Sequence, residues 1–572
     1  GKVLARQTLA LAAGQAQEVG WDVVVPLGQP ELQWEVTAKV VAQDSPAAMD
    51  RLRIRQKVIA AVPVRTLQAT LLQIEKTQTM KVHLPDGALA GRGGVQAVFS
   101  ARLGGDLPGV REFMTAYPYT CFEQNTSRAI ALQDEALWDA QAAKLPAYLD
   151  GDGLLKYFPS MDQGSDSLTA YVLSVTQEAG YSIAPELKAR MEEGLRGFVQ
   201  GRVVRYSALR TADLAVRKIA ALEALSRSGP VAPGELESFA LEPNLWPTSA
   251  VIDWYLILHR SPALPQRATQ LAQVQQILRA RLNLQGTTLG FSTERKDDWW
   301  WLMASADVNA NRLLLAMRDN PAWQADMGRM ARGALGRQRA GHWGTTVANA
   351  WGVLALDKFS QQFESVPVTG ISSASLGTAS KSIAYGAEVS SGSVLLPWPR
   401  AESELQLEHA GQGKPWVTVQ SLAALPLKTA LSSGYQISKR ITPVEQKSPG
   451  VWSRGDVYRV HLDLEAQSDM TWVVVDDPIP ASATVLGSGL GRDSQILSSG
   501  AKSTGWVWPA YEERSFEAYR AYYQFVPKGK WSVEYTVRLN NSGQFSLPAT
   551  RVEAMYSPEM FGAMPNPAVS VK

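Results

Sequence analysis

The sequence predicts a multidomain α and β protein. An all-α region of helical hairpins is inserted between β-sandwich segments and is followed by a C-terminal antiparallel β-sandwich. Three observations carry this. Residues 1–108 and 361–572 hold alternating and β-branched runs punctuated by Pro and Gly. Residues 109–360 are rich in Ala and Leu, with apolar positions at helical spacing. The helical pattern begins in β territory and returns to it, as expected for an insertion between two halves of one β domain. A chain of 572 residues accommodates three to five domains at about 150 residues each.

In the first β region, Trp21–Pro26, Leu32–Val41, Arg53–Val64 and Val95–Leu103 read as strands, with turns at Pro85-Asp86-Gly87 and Gly91–Gly94. The helical region reads as Ser127–Ala142, Ser167–Ala179, Pro185–Gln200, Ala212–Ser226, Ser249–His259, Leu264–Leu282, Ala306–Arg318, Ala322–Arg339 and Thr346–Lys358. Paired helices of this kind form either a solenoid or a closed toroid. Trp246, Trp254, Trp299-Trp300-Trp301 and Trp343 fall near hairpin ends, where they serve packing or, on a sharper reading, sugar stacking. After Phe359 come strands at Gly392–Leu396, Leu405–His409, Trp416–Gln420, Tyr458–Leu464, Thr471–Val475, Ala518–Phe525, Trp531–Leu539 and Thr550–Met555. Ile441-Thr442-Pro443 reads as a break between two β modules, which gives domains at 1–108, 109–360, 361–440 and 441–572.

Composition excludes several classes. Lys plus Arg is 56 and Asp plus Glu is 54, a balance of +2 that argues against a nucleic-acid binder built on a basic field. No apolar run reaches the length of a membrane span. One cysteine excludes an internal disulfide framework and cysteine-based zinc or iron–sulfur sites. The five histidines show no metal-ligand spacing, and no metal or cofactor is expected. The chain starts Gly-Lys, which reads as a fragment or processed product.

The chemistry concentrates in Tyr117-Pro118-Tyr119-Thr120-Cys121-Phe122-Glu123-Gln124-Asn125-Thr126-Ser127-Arg128. In the first turn of a helix, residues three apart share a face, so the Cys121 sulfur can reach the Gln124 amide carbon. Loss of ammonia would then close a thioester. Cysteine supplies a thiolate that is both nucleophile and leaving group. The helix dipole favours that thiolate, and free N–H groups can polarise an acyl oxygen. Pro118 holds Tyr117 extended. Tyr117 and Tyr119, two apart on extended backbone, are expected to cover the site, and Glu123 is expected to be a supporting first-turn acid. Cys121 is expected at a domain surface. The Trp506–Tyr511 segment is a candidate lid, and Glu512-Glu513-Arg514 reads as a solvated or salt-bridged strand edge.

The motif resembles that of bacterial members of the α2-macroglobulin family, which share Cys-x-Glu-Gln with complement proteins. The likeness continues at Asp150–Gly153 with Tyr157-Phe158-Pro159, at Gly341–Thr346, at Val474–Pro480 and at Val552–Glu559. Thr120 and Phe122 stand where animal members carry glycines. The resemblance implies that 109–360 is a toroidal thioester domain, that 1–108 and 361–440 hold macroglobulin-like and CUB-like segments, and that 441–572 is a macroglobulin-like sandwich. It implies a single-use covalent protease inhibitor, not an enzyme, in which Gln124 acylates a target protease and Cys121 leaves as a thiol. It further implies a monomer in the periplasm, anchored by an N-terminal lipid outside this chain, working with upstream domains of the same protein and with periplasmic partner proteins. The residues alone leave two rivals: a glycoside hydrolase using two of Asp152, Asp166, Asp253, Asp297 and Asp298, and a Cys121 nucleophile activated by a histidine.

Overall fold

A computed structural model describes residues 3–12, 14–26, 28–41, 48–104, 107–207, 213–238, 240, 242–292, 299–364, 366–386, 389–487 and 507–572. The chain divides into two units, Gly1–Pro63 and Val64–Lys572.

In the first unit, Glu31–Lys39 and Met49–Lys57 form an antiparallel hairpin, and Glu35 binds both Arg51 and Arg53. The strand expected at Trp21–Pro26 is not formed. The run expected at Arg53–Val64 is two pieces, one strand ending at Lys57 and the next starting at Arg65, because Pro63 cannot donate to a ladder.

The second unit opens with a β-sandwich assembled from both sides of the helical region. One sheet has the order Ser391–Leu396, Gly93–Ser100, Trp416–Ala423, Arg65–Gln73. The other has the order Thr77–Val82, Ser403–Gln412, Thr369–Leu376, Ala379–Tyr385. Strands before residue 101 thus pair with strands after residue 390, and alternate residues such as Val95, Ala97, Phe99, Leu405 and Leu407 fill one core. The helical region is an insertion in this sandwich.

The inserted helices are α1 (Pro108–Ala116), α2 (Phe122–Ala131), α3 (Glu135–Ala142), α4 (Leu145–Tyr148), α5 (Asp166–Ala179), α6 (Pro185–Val199), α7 (Leu214–Ser226), α8 (Thr248–Arg260), α9 (Arg267–Ala280), α10 (Ala306–Met317), α11 (Met327–Leu335) and α12 (Thr346–Phe363). Caps explain several ends. Ser165, Ser305 and Thr345 accept from backbone N–H groups at the starts of α5, α10 and α12, and Gly180 closes α5 at φ 78°. The single helix expected over Ser127–Ala142 is two, since Gln133 takes φ 54° and Asp134 caps α3; α2 itself starts earlier, at Phe122. The helix expected over Ala322–Arg339 shortens to α11 behind a 3-10 turn at Pro321–Asp326. A short hairpin, Leu282–Gln285 with Thr288–Phe291, was not foreseen. Contacts run from α2 to α5, α7, α8, α10 and α12, and α12 packs back on α2. Gly352 on α12 lets the Trp343 indole lie against that helix, for a Cβ there would lie 2.2 Å from the ring.

The C-terminal part pairs a six-stranded sheet (Leu431–Ser433, Ser557–Met564, Thr550–Ala554, Met470–Pro478, Ala518–Val526, Tyr511–Arg514) with a four-stranded one (Tyr435–Glu445, Val457–Ala466, Gly529–Arg538, Thr484–Leu486). Ile441-Thr442-Pro443 is therefore not a break. It lies inside an edge strand paired with Val457–Ala466, and a bulge after Pro443 accommodates the missing N–H. The Met470–Pro478 strand is buried on both faces. Val473 and Val475 point into the sandwich core, whereas Trp472 and Val474 join the helical core.

Candidate functional site

Cys121 caps α2, and the segment before it fixes its approach. α1 ends at Ala116, and Tyr117 is extended at φ −63°, ψ 120°, as a residue preceding proline should be. Arg128 on α2 donates to the Met114 carbonyl at 3.0 Å and to the Tyr117 carbonyl, so the helix holds its own approach segment. On the other side, the Phe122 N–H donates to the Tyr157 carbonyl at 3.0 Å. That loop is set by Asp150, whose carboxylate accepts from Gly164 and Leu154 N–H groups at 2.7 and 2.9 Å and from Arg205. Burial opposes the Asp150 charge, yet these donors hold its carboxyl below the usual range.

Cys121 and Gln124 meet at the first turn. The Cys121 N–H donates to Gln124 Oε1 at 3.1 Å, and the sulfur accepts from the Gln124 backbone N–H. Gln124 Nε2 donates to Met555 Sδ at 2.8 Å and to the Tyr117 hydroxyl at 3.4 Å. Cys121 is 0% exposed and Gln124 1%. Cys121 thus lies where the helical region meets the C-terminal sheet, closed off from solvent. Burial pushes the Cys121 thiol well up, overriding the N–H groups of Gln124 and Glu123 that favour thiolate.

Tyr117 and Tyr119 rings meet edge-on at 5.4 Å, Phe113 lies 5.3 Å from Tyr117, and Tyr119 reaches Tyr522 at 6.2 Å. Tyr117 thus contacts Gln124 itself, while Tyr119 stands behind it. Glu123 is fully buried and accepts from Ser127, Thr346 and Tyr556.

Sequence reasoning missed Met555, Tyr556, Trp472 and Tyr157 at the site. Met555 and Tyr556 form the two-residue tip between strands Thr550–Ala554 and Ser557–Met564, with Ala554 opposite Ser557. Such tips favour Gly, Asn and Asp; two large, buried side chains there are the signal that could have marked the tip as a contact. Trp472 takes φ 51° and lies 3.9 Å from Tyr157, and its carbonyl accepts from the Met555 N–H at 2.9 Å. Of the proposed lid, Tyr511 stacks on Phe158 at 4.5 Å, Trp508 is 72% exposed, and Trp506 lies outside the described residues.

Among the described residues the rival assignments find no supporting geometry. Asp152, Asp166 and Asp253 are each bound to an arginine (Arg205, Arg217 and Arg312); Asp297 and Asp298 lie outside the described residues. No histidine is among the groups acting on Cys121. Trp254 and Trp343 are buried, as packing requires, and Trp301 donates to Asp213 at 3.1 Å. Glu513 and Glu512 bind Arg520 and Arg514, a salt-bridged strand edge. Among the described residues no group of side chains has a metal-holding arrangement, and no helix is long and apolar enough to cross a membrane.

Residues 434–559 match the family described as the bacterial alpha-2-macroglobulin MG10 domain. The region from domain MG7 to the C-terminus of Escherichia coli alpha-2-macroglobulin superposes with TM-score 0.72 at 16% identity, over 95% of this chain and 88% of that one. The chain is a relative of the bacterial α2-macroglobulins. Salmonella alpha-2-macroglobulin reacted with methylamine gives TM-score 0.70 at 19% identity, covering 94% of this chain and 36% of that one. An alpha-2-macroglobulin homolog of Nostoc sp. is 24% identical over 291 residues, 46% of this chain and 14% of that protein's length. The chain spans 36% of the Salmonella protein and 14% of the Nostoc one.

Proposed function

We propose that this chain forms the C-terminal part of a protease trap that captures its attacker covalently through a Cys121–Gln124 thioester. The observation that carries the reading is the pairing of Cys121 and Gln124 at a helix N-terminus, fully buried and enclosed by Tyr117, Met555 and Tyr556. A thioester has to be kept from water and amines until it is needed, and an apolar, aromatic enclosure contributed by two domains does this. Parting of the C-terminal sheet from α2 would expose the acyl carbon to a lysine or hydroxyl of the attacking protease. The Cys121 sulfur would then leave, and Gln124 would carry the conjugate. The protein is in this reading a single-use inhibitor and not an enzyme. Its helices form the toroidal thioester domain, its interrupted sandwich the CUB-like domain, and its last two sheets a macroglobulin-like domain. We place it in the periplasm, joined to upstream domains that carry the cleaved bait and the lipid anchor.

The test is intact mass together with thiol titration. Native protein is expected to be lighter by one ammonia, to resist thiol reagents, and to release one thiol on addition of methylamine. Full labelling of fresh protein with no mass deficit would remove the thioester.

A further inference from the structure

One buried charge in the site is not required by the trap. Glu123 is 0% exposed. Its Oε1 accepts from Ser127 Oγ at 2.5 Å and Thr346 Oγ1 at 2.8 Å, and its Oε2 accepts from the Tyr556 hydroxyl at 2.8 Å. Three hydroxyl donors fit an ionised carboxylate, yet among the described residues no lysine, arginine or histidine makes a hydrogen bond or ion pair with it. Burying a carboxylate without a cation is costly. Helix capping does not explain it, because Cys121 and Gln124 already form the reciprocal cap of α2. The titratable groups facing this cluster are Cys121 on the cap, Tyr117 before it, Tyr157 in the neighbouring loop, Tyr171 on α5 and Tyr556 on the hairpin tip. Of these, Tyr556 stands between the carboxylate and the sulfur. Its hydroxyl hydrogen-bonds with Glu123 and also faces the Cys121 sulfur and Tyr157.

We propose that Glu123 and Tyr556 form a proton relay that closes the Cys121–Gln124 thioester, with the carboxylate acting as base through the tyrosine hydroxyl. This rests on the thioester reading above. The need is plain: the nucleophile is the thiolate, and a dry site keeps Cys121 protonated. In the first step the thiol proton passes to the Tyr556 oxygen while the Tyr556 proton passes to Glu123 Oε2. The sulfur attacks Gln124 Cδ, a C–S bond forms, and the carbonyl electron pair moves onto Oε1. The Cys121 N–H, 3.1 Å away, donates to that oxygen. The pair then returns, the C–N bond breaks, and Nε2 leaves with the proton that the relay held. One thiol and one amide become one thioester and one ammonia, and the carboxylate is restored. No oxidant or cofactor enters. Burial also raises the Glu123 carboxyl, which makes it a better base than a surface carboxylate. By microscopic reversibility the same pair would return a proton to the sulfur when an amine opens the ring.

The test is the rate of ammonia loss after cell-free synthesis, followed by intact mass in a pH series for wild type, Tyr556→Phe and Glu123→Gln. Removing positioned proton transfer is expected to slow closure about 10²–10³-fold in either variant. The wild-type rate should climb with pH as the carboxyl ionises and then level, and Glu123→Gln should lose that limb. Tyr556→Phe keeps the ring and its packing, so its melting temperature separates a folding defect from a chemical one. A Tyr556→Phe protein that folds normally and closes at the wild-type rate overturns the relay while leaving the thioester in place. If the variants are too unstable to measure, a wild-type rate with no ascending limb overturns it equally. If wild type never loses ammonia, the thioester reading itself falls.

Discussion

Met555 Sδ lies 2.8 Å from Gln124 Nε2, although the two residues are 431 positions apart. The contact joins the tip of a C-terminal hairpin to the first turn of α2, so that turn is enclosed only when the C-terminal sheet is seated. Trp472, Val474, Tyr522 and Tyr556 extend the same contact into the helical core. Stability of this seat and protection of the site are one physical quantity.

Tyr117→Ala should open the site to small amines. The ring supports the Gln124 amide directly and packs against Phe113 and Tyr119. Methylamine-driven thiol release is expected to rise at least roughly tenfold, equivalent to about 1.4 kcal/mol of lost protection. An unchanged rate would take Tyr117 out of the shield.

Cys121→Ala should keep the fold and lose the chemistry. One buried sulfur is removed, less than a Leu→Ala truncation, so the cost should be about 1–2 kcal/mol. Helical circular dichroism should be unchanged and no covalent conjugate should form with a protease. Conjugation by the alanine variant would refute the assignment.

Trp472 offers a test of backbone strain. A tryptophan at φ 51° sits where glycine is favoured, and its ring lies 3.9 Å from Tyr157. Trp472→Ala should cost about 3–5 kcal/mol through the lost ring. Trp472→Gly loses one more carbon but relieves the strain, so it should be the more stable of the two by about 1 kcal/mol. Urea midpoints decide; an alanine variant more stable than the glycine variant would mean that no strain is stored there.

Acid should weaken the helical region through Glu178. Burial alone would raise its carboxyl, but Arg227 and Lys358 overcome this and hold it at about 2, against an ordinary 4.5. A depressed carboxyl stabilises the fold fully above pH 4.5, and that contribution disappears as the pH falls to about 2. The amount is on the order of 3 kcal/mol. Unfolding midpoints measured across this window should fall less steeply in Glu178→Gln than in wild type; parallel slopes would show that the pair does not carry the effect.

Much of this was legible locally. The Cys121 and Gln124 spacing defines a shared helix face, and the return of strand patterning after α12 announced the inserted arrangement that the sheet order displays. Misreadings were local as well. Gln133 at positive φ divides an otherwise continuous helical pattern, and Pro443 sits in a strand because that strand is an edge. In both cases the pattern of apolar residues is unchanged by the feature that decides the outcome.

The sequence by itself determined the Cys121 and Gln124 pairing on one helix face, the aromatic approach to it and the order of α and β regions, because periodicity and capping act within a few residues. Only the tertiary structure decided what closes over the pair. Met555 and Tyr556 reach it from a hairpin tip and Trp472 from the outer face of a strand whose inner face already satisfies its own core, all in a sheet that starts some 300 residues later in the chain. A strand buried on both faces shows no alternation that would tell which neighbour each face meets. Glu123 was readable only as a first-turn acid; that its carboxylate lies dry among three hydroxyls follows from packing of α12 and the hairpin tip against α2.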